Sequence, residues 1–509
     1  MIVLPGLMLA FMLAMLDNFI VGTAMPRIVT DLGGISHLSW VVTAYVLGTT
    51  VSTPIWGKVG DMYGRKGIFI ASIVGFLAGS ALSGAAQTMN QLIAFRAIQG
   101  LFAGGLAVNA LAIIGDLVPP RERGRYQGIM ASVMSLAMVA GPLAGGFITD
   151  HLDWRWAFYV NLPLGAIALF FIWTRLHLPK LRTKHRIDWS GAGVLAVGIT
   201  ALVLITTWGG NDYPWNSGHI YTLVVIAVVS LVAFVYIERR AAEPVIPLNL
   251  FRNRNFSLVS VIGFLVGFAM FGAISFLPLF QQKVQGASAT NSGLLLLPMM
   301  AGLLVTSLIA GQTITRTGRY RAFPIVGGIG MVAGMILLST MNEHTTKFQT
   351  SLWMIVLGLG MGCLMQVTML IAQNSVEQKD MGVASSATTF FRSIGGSFGV
   401  ALAGAILNNR AYNDILHSPL GKAGADAFKN GSAEAATAGS AAVKLPVQVV
   451  HALADGIGQV FFWSIFIAVL VPVLAVFIQH VTLRGRPDPN APASETAEPE
   501  PAEMVNAFE

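Results

Sequence analysis

Charge is what this sequence has least of. Asp, Glu, Lys and Arg make up 11% of the 509 residues, less than half of the roughly 25% that soluble domains carry. That deficit excludes a water-soluble enzyme, a disordered chain or a nucleic-acid binder as the frame for reading it. Cysteine is nearly absent as well. Cys363 stands alone in an apolar run, so neither a disulfide framework nor a thiolate metal site is expected. No Gly-x4-Gly-Lys-Ser/Thr occurs, which excludes an ATP-driven pump within this chain. No Ser/His/Asp constellation and no metal-spaced histidine cluster appears; His177 and His185 lie in a basic connection. The chain is therefore not expected to be an enzyme or to hold a metal.

Apolar residues, by contrast, supply 54% of the chain, and its mean hydropathy is +0.68. A helix crossing a bilayer needs about 20 mostly apolar residues. Fourteen runs qualify: 2–27, 38–56, 67–87, 91–116, 126–149, 156–174, 189–208, 219–237, 256–280, 290–315, 322–341, 350–373, 386–408 and 456–480. The first lacks a basic leader and carries Asp17 within it, so it reads as a retained span. Lys and Arg divide unequally between alternate connections, 21 on one side and 8 on the other, with Arg96 and Arg392 inside spans. Basic loops stay in the cytoplasm, so both termini are expected there, with the chain in the cytoplasmic cell membrane. The formal charge of +13 on residues 1–486 is this orientation bias rather than a nucleic-acid surface.

Two stretches read as lying outside the bilayer. Residues 409–455 are rich in Ala, Gly and Lys and form a long outer loop, whose end from Val443 to Leu453 suits an amphipathic helix leading into the last span. Residues 487–509 hold Pro, Ala, six acids and no Lys or Arg, a composition that builds no core. The sequence also repeats. At an offset of 254, Gly48 meets Gly302, Gly57 meets Gly311, Gly64-Arg65 meets Gly318-Arg319 and Gly104 meets Gly358. Gly128, Ser132, Gly141 and Gly145 likewise meet Gly382, Ser386, Gly395 and Gly399. Eight spans separate the copies, so both halves share one orientation, the parallel-repeat pattern of major facilitator transporters. The expected organisation is a six-helix half over 1–187, two inserted helices over 188–255, a second six-helix half over 256–486 and the acidic tail.

The connection after the second run reads Gly57-Lys58-Val59-Gly60-Asp61-Met62-Tyr63-Gly64-Arg65-Lys66. Its glycines suit a tight turn, and Asp61 can cap a helix N-terminus or pair with Arg65. The echo from Gly311 to Arg319 has Thr315 in place of Asp61, so the charged device belongs to one half. The fifth run carries Gly141-Pro142-Leu143-Ala144-Gly145-Gly146, where Pro and small residues suit a bend or a close, rocking helix contact. Gly57 to Lys66 resembles the loop signature of the major facilitator superfamily. Leu16 to Pro26 is similar to the first-span motif of its fourteen-span drug/proton antiporters, the EmrB/QacA-like branch. Arg96-Ala97-Ile98-Gln99-Gly100 with Gly104-Gly105 resembles the fourth-span motif, and Gly141 to Gly146 the antiporter motif, followed by the similar Trp154-Arg155-Trp156 and Asn161-Leu162-Pro163. Phe19 and Gly22 depart from it, standing where members often carry Thr and Asn. The resemblance covers nearly the whole chain. It implies an all-α membrane fold of fourteen helices, and a monomeric exporter of small amphiphilic drugs driven by a proton gradient in place of any cofactor. Export of an endogenous lipid, siderophore or antibiotic is the alternative; a sensor or channel fits the duplication less well.

Ionisable groups deep in a membrane mark function by default. Asp17 lies nine residues before Pro26, about 14 Å below the outer face, and Arg96 lies five residues after Gln91, about 8 Å below it. The two are expected at similar depth and are the candidate proton-coupling pair; the resemblance implies that their helices line the central cavity. Gly57, Asp61, Gly64, Arg65, Gly141, Pro142, Gly145 and Gly146 are the candidate gating residues. Asn18, Asn109, Phe271, Met361, Met365 and Gln366 are candidates for the substrate cavity, since Met and aromatic groups adapt to varied amphiphiles. Arg392 is read as structural, close enough to the inner face to snorkel. With a single deep carboxylate, monovalent cations and neutral amphiphiles are expected to be better substrates than rigid dications.

Overall fold

The computed structural model describes residues 4–32, 38–119, 122–176, 188–210, 213–241, 243–287, 294–429 and 446–479. Every apolar run becomes a helix, as it must where no water satisfies backbone polar groups. The first half holds α1 (Leu4–Leu32), α2 (Leu38–Tyr63), α3 (Arg65–Gly84), α4 (Met89–Leu117), α5 (Arg123–His151), α6 (Trp156–Tyr159) and α7 (Asn161–Arg175). Then come α8 (Trp189–Trp208) and α9 (Gly218–Glu238). The second half holds α10 (Arg254–Lys283), α11 (Leu297–Thr317), α12 (Ala322–Ser339), α13 (Lys347–Asn374), α14 (Met381–Leu416), α15 (Gly421–Lys429) and α16 (Val447–Val476). Among the described residues thirteen helical spans are long and apolar enough to cross a membrane, counting α6 and α7 as one. The fourteenth is α2, which falls short in hydropathy because Ser, Thr and Gly run along it and Lys58 and Asp61 sit at its end.

Side-chain caps start several helices. Thr88 accepts from the Gln91 amide at α4, and Thr346 and Gln349 form a capping box at α13. The reversals after α2 and α11 are each made by one glycine at positive φ, Gly64 at 92° and Gly318 at 71°, a region closed to most side chains. Gly57 does not belong to that turn. It lies inside α2 and faces another helix.

The two halves pack alike. In the first, α2 and α3 lie on α4 while α1 lies on α5 and α7; in the second, α11 and α12 lie on α13 while α10 lies on α14 and α16. The register is not uniform, however. A Cβ on Gly100 would enter the Tyr45 carbonyl, and one on Gly358 the Met299 carbonyl. Tyr45 and Met299 are 254 apart, but Gly100 and Gly358 are 258 apart. The equivalent of Gly358 is therefore Gly100, not Gly104. The connection between α12 and α13 is three residues longer (340–346, against 85–88) and α12 ends one residue later at that offset, which together give the four-residue displacement.

Residues 409–455 are not a simple loop. Residues 409–416 continue α14 because Ala411 and Ile415 bury in the core, and Arg410 bonds Asp455 of α16 at 2.8 Å. The last span begins at Val447, so part of the expected amphipathic segment is its first turns. Residues 430–445 and the tail 487–509 fall outside the described residues. Helices α8 and α9 pack on each other, and α8 also touches α2 and α14, one helix from each half. The face of α9 carrying Tyr221, Val225, Val229, Val232 and Tyr236 is exposed, as suits a lipid-facing surface.

Candidate functional site

Asp17 lies near the middle of α1 and is fully buried. Its carboxylate pairs with the Arg96 guanidinium of α4 and accepts hydrogen bonds from Gln99 Nε2 at 2.9 Å and Asn161 Nδ2 at 2.7 Å. Arg96 also donates to Gln99 Oε1 at 2.8 Å, and Asn161 to Ser80 Oγ at 3.0 Å. The guanidinium lies 4.0 Å from the centroid of the Tyr45 ring, whose hydroxyl bonds the Ala14 carbonyl at 2.9 Å. Local sequence explains the assembly. Arg96 and Gln99 are three apart on α4 and so share a face. Gly100, without a side chain, lets the α2 backbone at Tyr45 close against them. The depths read from the sequence bring Asp17 and Arg96 together as expected. Gln99 and Asn161 complete the cluster, and only their places in the Arg96–Gly100 and Asn161–Pro163 motifs hinted at them. Removing one partner of such a buried pair costs about 3–5 kcal/mol.

A second cluster ties the halves at the end where α2, α5, α11 and α14 meet. Asp61 accepts from the Gly382 and Val383 amides of α14 at 3.1 and 2.9 Å and from Arg65 Nη2 at 2.5 Å. Arg65 Nη1 reaches Asp116 at 3.1 Å. The N-cap residue of α14, Asp380, makes no side-chain cap of its own, so a carboxylate from the other half supplies it. Below this cap Gly57 abuts α14: a Cβ would lie 2.7 Å from the Gly382 carbonyl oxygen and collide with Ser386. The mirror contact sets Gly311 of α11 against the Gly124 carbonyl of α5, while a Cβ on Gly128 would lie 2.9 Å from the Ser307 carbonyl oxygen. Arg123 Nη1 bonds Asn374 Oδ1 at 3.1 Å and Gln373 Nε2 bonds the Leu111 carbonyl at 3.3 Å, again joining the halves. The structure is thus shut at this end.

Between the halves above that seal is a narrow cleft lined by Phe11 of α1, Leu111 of α4, Gln127, Met130 and Met134 of α5, Met365, Gln366 and Met369 of α13, and Arg392 of α14. A two-half helical bundle, sealed at one end by glycine contacts and a charged cap, with a methionine-rich cleft between the halves, is a transporter's arrangement. Residues 7–400 match the model of the Major Facilitator Superfamily. The chain belongs to that superfamily. It is 40% identical to the Multidrug transporter protein MdtP of Bacillus subtilis over 81% of this chain and 76% of that one. It is also 38% identical to Multidrug resistance protein 3 of the same organism, over 93% of both. Among solved structures, the proton:xylose symporter XylE shares the fold at a TM-score of 0.61 with 14% identity, covering 94% of this chain and 95% of that one.

The remaining candidates sort by position within this major facilitator fold. Met365 and Gln366 line the cleft, whereas Met361 is fully buried in the core of the second half. Asn109 binds the Gly105 carbonyl at 2.9 Å and faces Gly60, so it belongs to the contact between α4 and α2. Phe271 packs beside Gly396, and Asn18 is half-buried; neither is among the residues lining the cleft. Gly141 and Gly145 press on Phe19, Ile20 and Thr23 of α1. That contact lies within one half, not at the seam between halves. Gly146 approaches nothing closely, and the side chain of Pro142 lies outside the described residues. The cation preference expected from Asp17 also loses its basis in this state, because Arg96 already balances Asp17 and both are closed off from solvent. Arg392 lies further along its helix than its sequence context implied. Helix α14 begins at Met381 rather than near residue 386, which puts Arg392 about 16 Å along it.

Proposed function

We propose that this chain exports amphiphilic compounds across the cytoplasmic membrane in exchange for protons, as a monomer with both termini in the cytoplasm. The single observation that carries the reading is the buried Asp17–Arg96–Gln99–Asn161 cluster, in a bundle whose two halves enclose a methionine-lined cleft. The names of the two Bacillus subtilis relatives support the drug class. Protonating Asp17 removes the charge that holds Arg96, so the contact among α1, α4 and α7 loosens. Restoring the carboxylate pulls those helices back together. A proton entering from one side therefore biases the first half between two packings, and the substrate in the cleft experiences the change. Flexible thioethers and apolar walls accommodate varied shapes. The test is efflux of a lipophilic dye from proteoliposomes with and without an imposed pH gradient. Gradient-dependent efflux by the parent, absent from Asp17→Asn, is the expected result; equal efflux by both overturns the coupling.

A further inference from the structure

Arg392 is the one ionisable side chain among the residues that line the cleft. It is half-buried, and the structure shows no hydrogen bond or ion pair to its guanidinium among the described residues. The acids placed on α2, α4 and α16, which pack with α14, and on α1, which lines the cleft, are engaged elsewhere. Asp61 and Asp116 bind Arg65, Asp455 binds Arg410, and Asp17 binds Arg96. Arg392 lies about 16 Å along α14 from its first residue, within the apolar run and on the cleft between the halves rather than in a connection. A cation there faces a water-filled cavity or a charged ligand. Gln366, whose amide also makes no hydrogen bond to the protein among the described residues, stands in the same cleft.

We infer that Arg392, with Gln366, binds the anionic head group of an amphiphilic substrate whose apolar body lies among Phe11, Leu111, Met130, Met134 and Met369. The chemistry is that of a planar, permanently charged donor fork matched to a carboxylate, sulfonate or phosphate. With Asp17 neutralised by Arg96, the charge presented to the cleft is positive, which draws anions and repels cations. The proposal rests on the export reading and narrows its substrate class.

Anilinonaphthalene sulfonate and N-phenylnaphthylamine share a ring system and differ by the sulfonate, so together they isolate the head group. Binding of the sulfonate to protein in lipid nanodiscs, corrected with empty nanodiscs, is compared for the parent, Arg392→Gln, Arg392→Lys and Gln366→Glu. Saturable binding by the parent is expected to weaken at least about tenfold in Arg392→Gln and in Gln366→Glu, which sets an acid beside the cation, while Arg392→Lys, which keeps the charge and loses the fork, falls between the parent and Arg392→Gln. In proteoliposomes the ratio of kcat/KM for the sulfonate to that for the neutral amine is expected to fall about tenfold in Arg392→Gln. If the parent shows no saturable binding, or both charge variants bind as the parent does, the inference is overturned. If the sulfonate binds through Arg392 but a pH gradient moves neither compound, the site stands and the export reading falls.

Discussion

Asp61→Asn is the most informative perturbation of the seal. The carboxylate receives two amide hydrogen bonds from the first turn of α14 and an ion pair from Arg65, all with the halves closed at this end. When the halves part, α14 moves away from α2 and the two amide bonds are lost. Hydrogen bonds to a charged group contribute about 1.5–3 kcal/mol each. The neutral amide keeps an acceptor oxygen but loses the charge that complements the helix N-terminus. A net loss of one such bond shifts the balance toward opening by about ten- to hundredfold. The lone Cys363 is buried and can be replaced by Ser to give a cysteine-free background. Ser386→Cys then reports opening, because Ser386 is fully buried against Gly57 in the closed arrangement. Its labelling by a membrane-impermeant thiol reagent applied to this end is expected to accelerate by that factor in Asp61→Asn, with slower transport. Equal labelling rates with and without the carboxylate would refute the capping argument.

Asp17→Asn is expected to abolish pH-gradient-driven efflux, while downhill exchange of a neutral substrate survives; vesicle assays under the two conditions check it. Asn161→Ala takes one donor from the same carboxylate and is expected to slow gradient-driven efflux less severely than Asp17→Asn, measured in the same vesicles. Gly141→Leu drives a side chain into Phe19 and is expected to cost about 1–3 kcal/mol, seen as a lower thermal midpoint in detergent, whereas Gly146→Ala meets open space inside a helix and does not lower the midpoint. Deleting residues 487–509 is expected to leave export intact, since their composition builds no packed element; a truncated protein that inserts normally but fails to export refutes this.

Apolar run length alone makes the helices legible, because a span must satisfy its own backbone and therefore writes itself as about 20 apolar residues. Charge within those runs is equally legible, and counting residues from the same face is enough to pair Asp17 with Arg96. Neutral partners are not. Gln99 and Asn161 look like any polar residue in a motif until packing turns them onto the carboxylate. Gly57 reads as a turn residue beside Gly64, yet its lack of a side chain serves a helix crossing instead. Hydropathy places Arg392 too near the inner face because its helix starts in a stretch, Met381 to Ser385, that falls outside the apolar run. Gly141 and Gly145 show a different limit: small residues advertise close approach without saying to which helix, and the structure sets them against α1.

The unequal connections before α4 and α13 bear on how two such halves can diverge. A four-residue displacement of sequence along a helix corresponds to about 400°, within about 40° of a full turn. Each glycine of α13 therefore still points at its crossing partner, displaced one step along the axis, as Gly358 does toward Met299. A register shift of two residues would set those glycines on the far side and thrust bulkier neighbours into the α11 backbone. The sequence of such a helix can thus shift against its partner only in near-whole turns, and aligning the halves residue for residue requires a four-residue gap before α13.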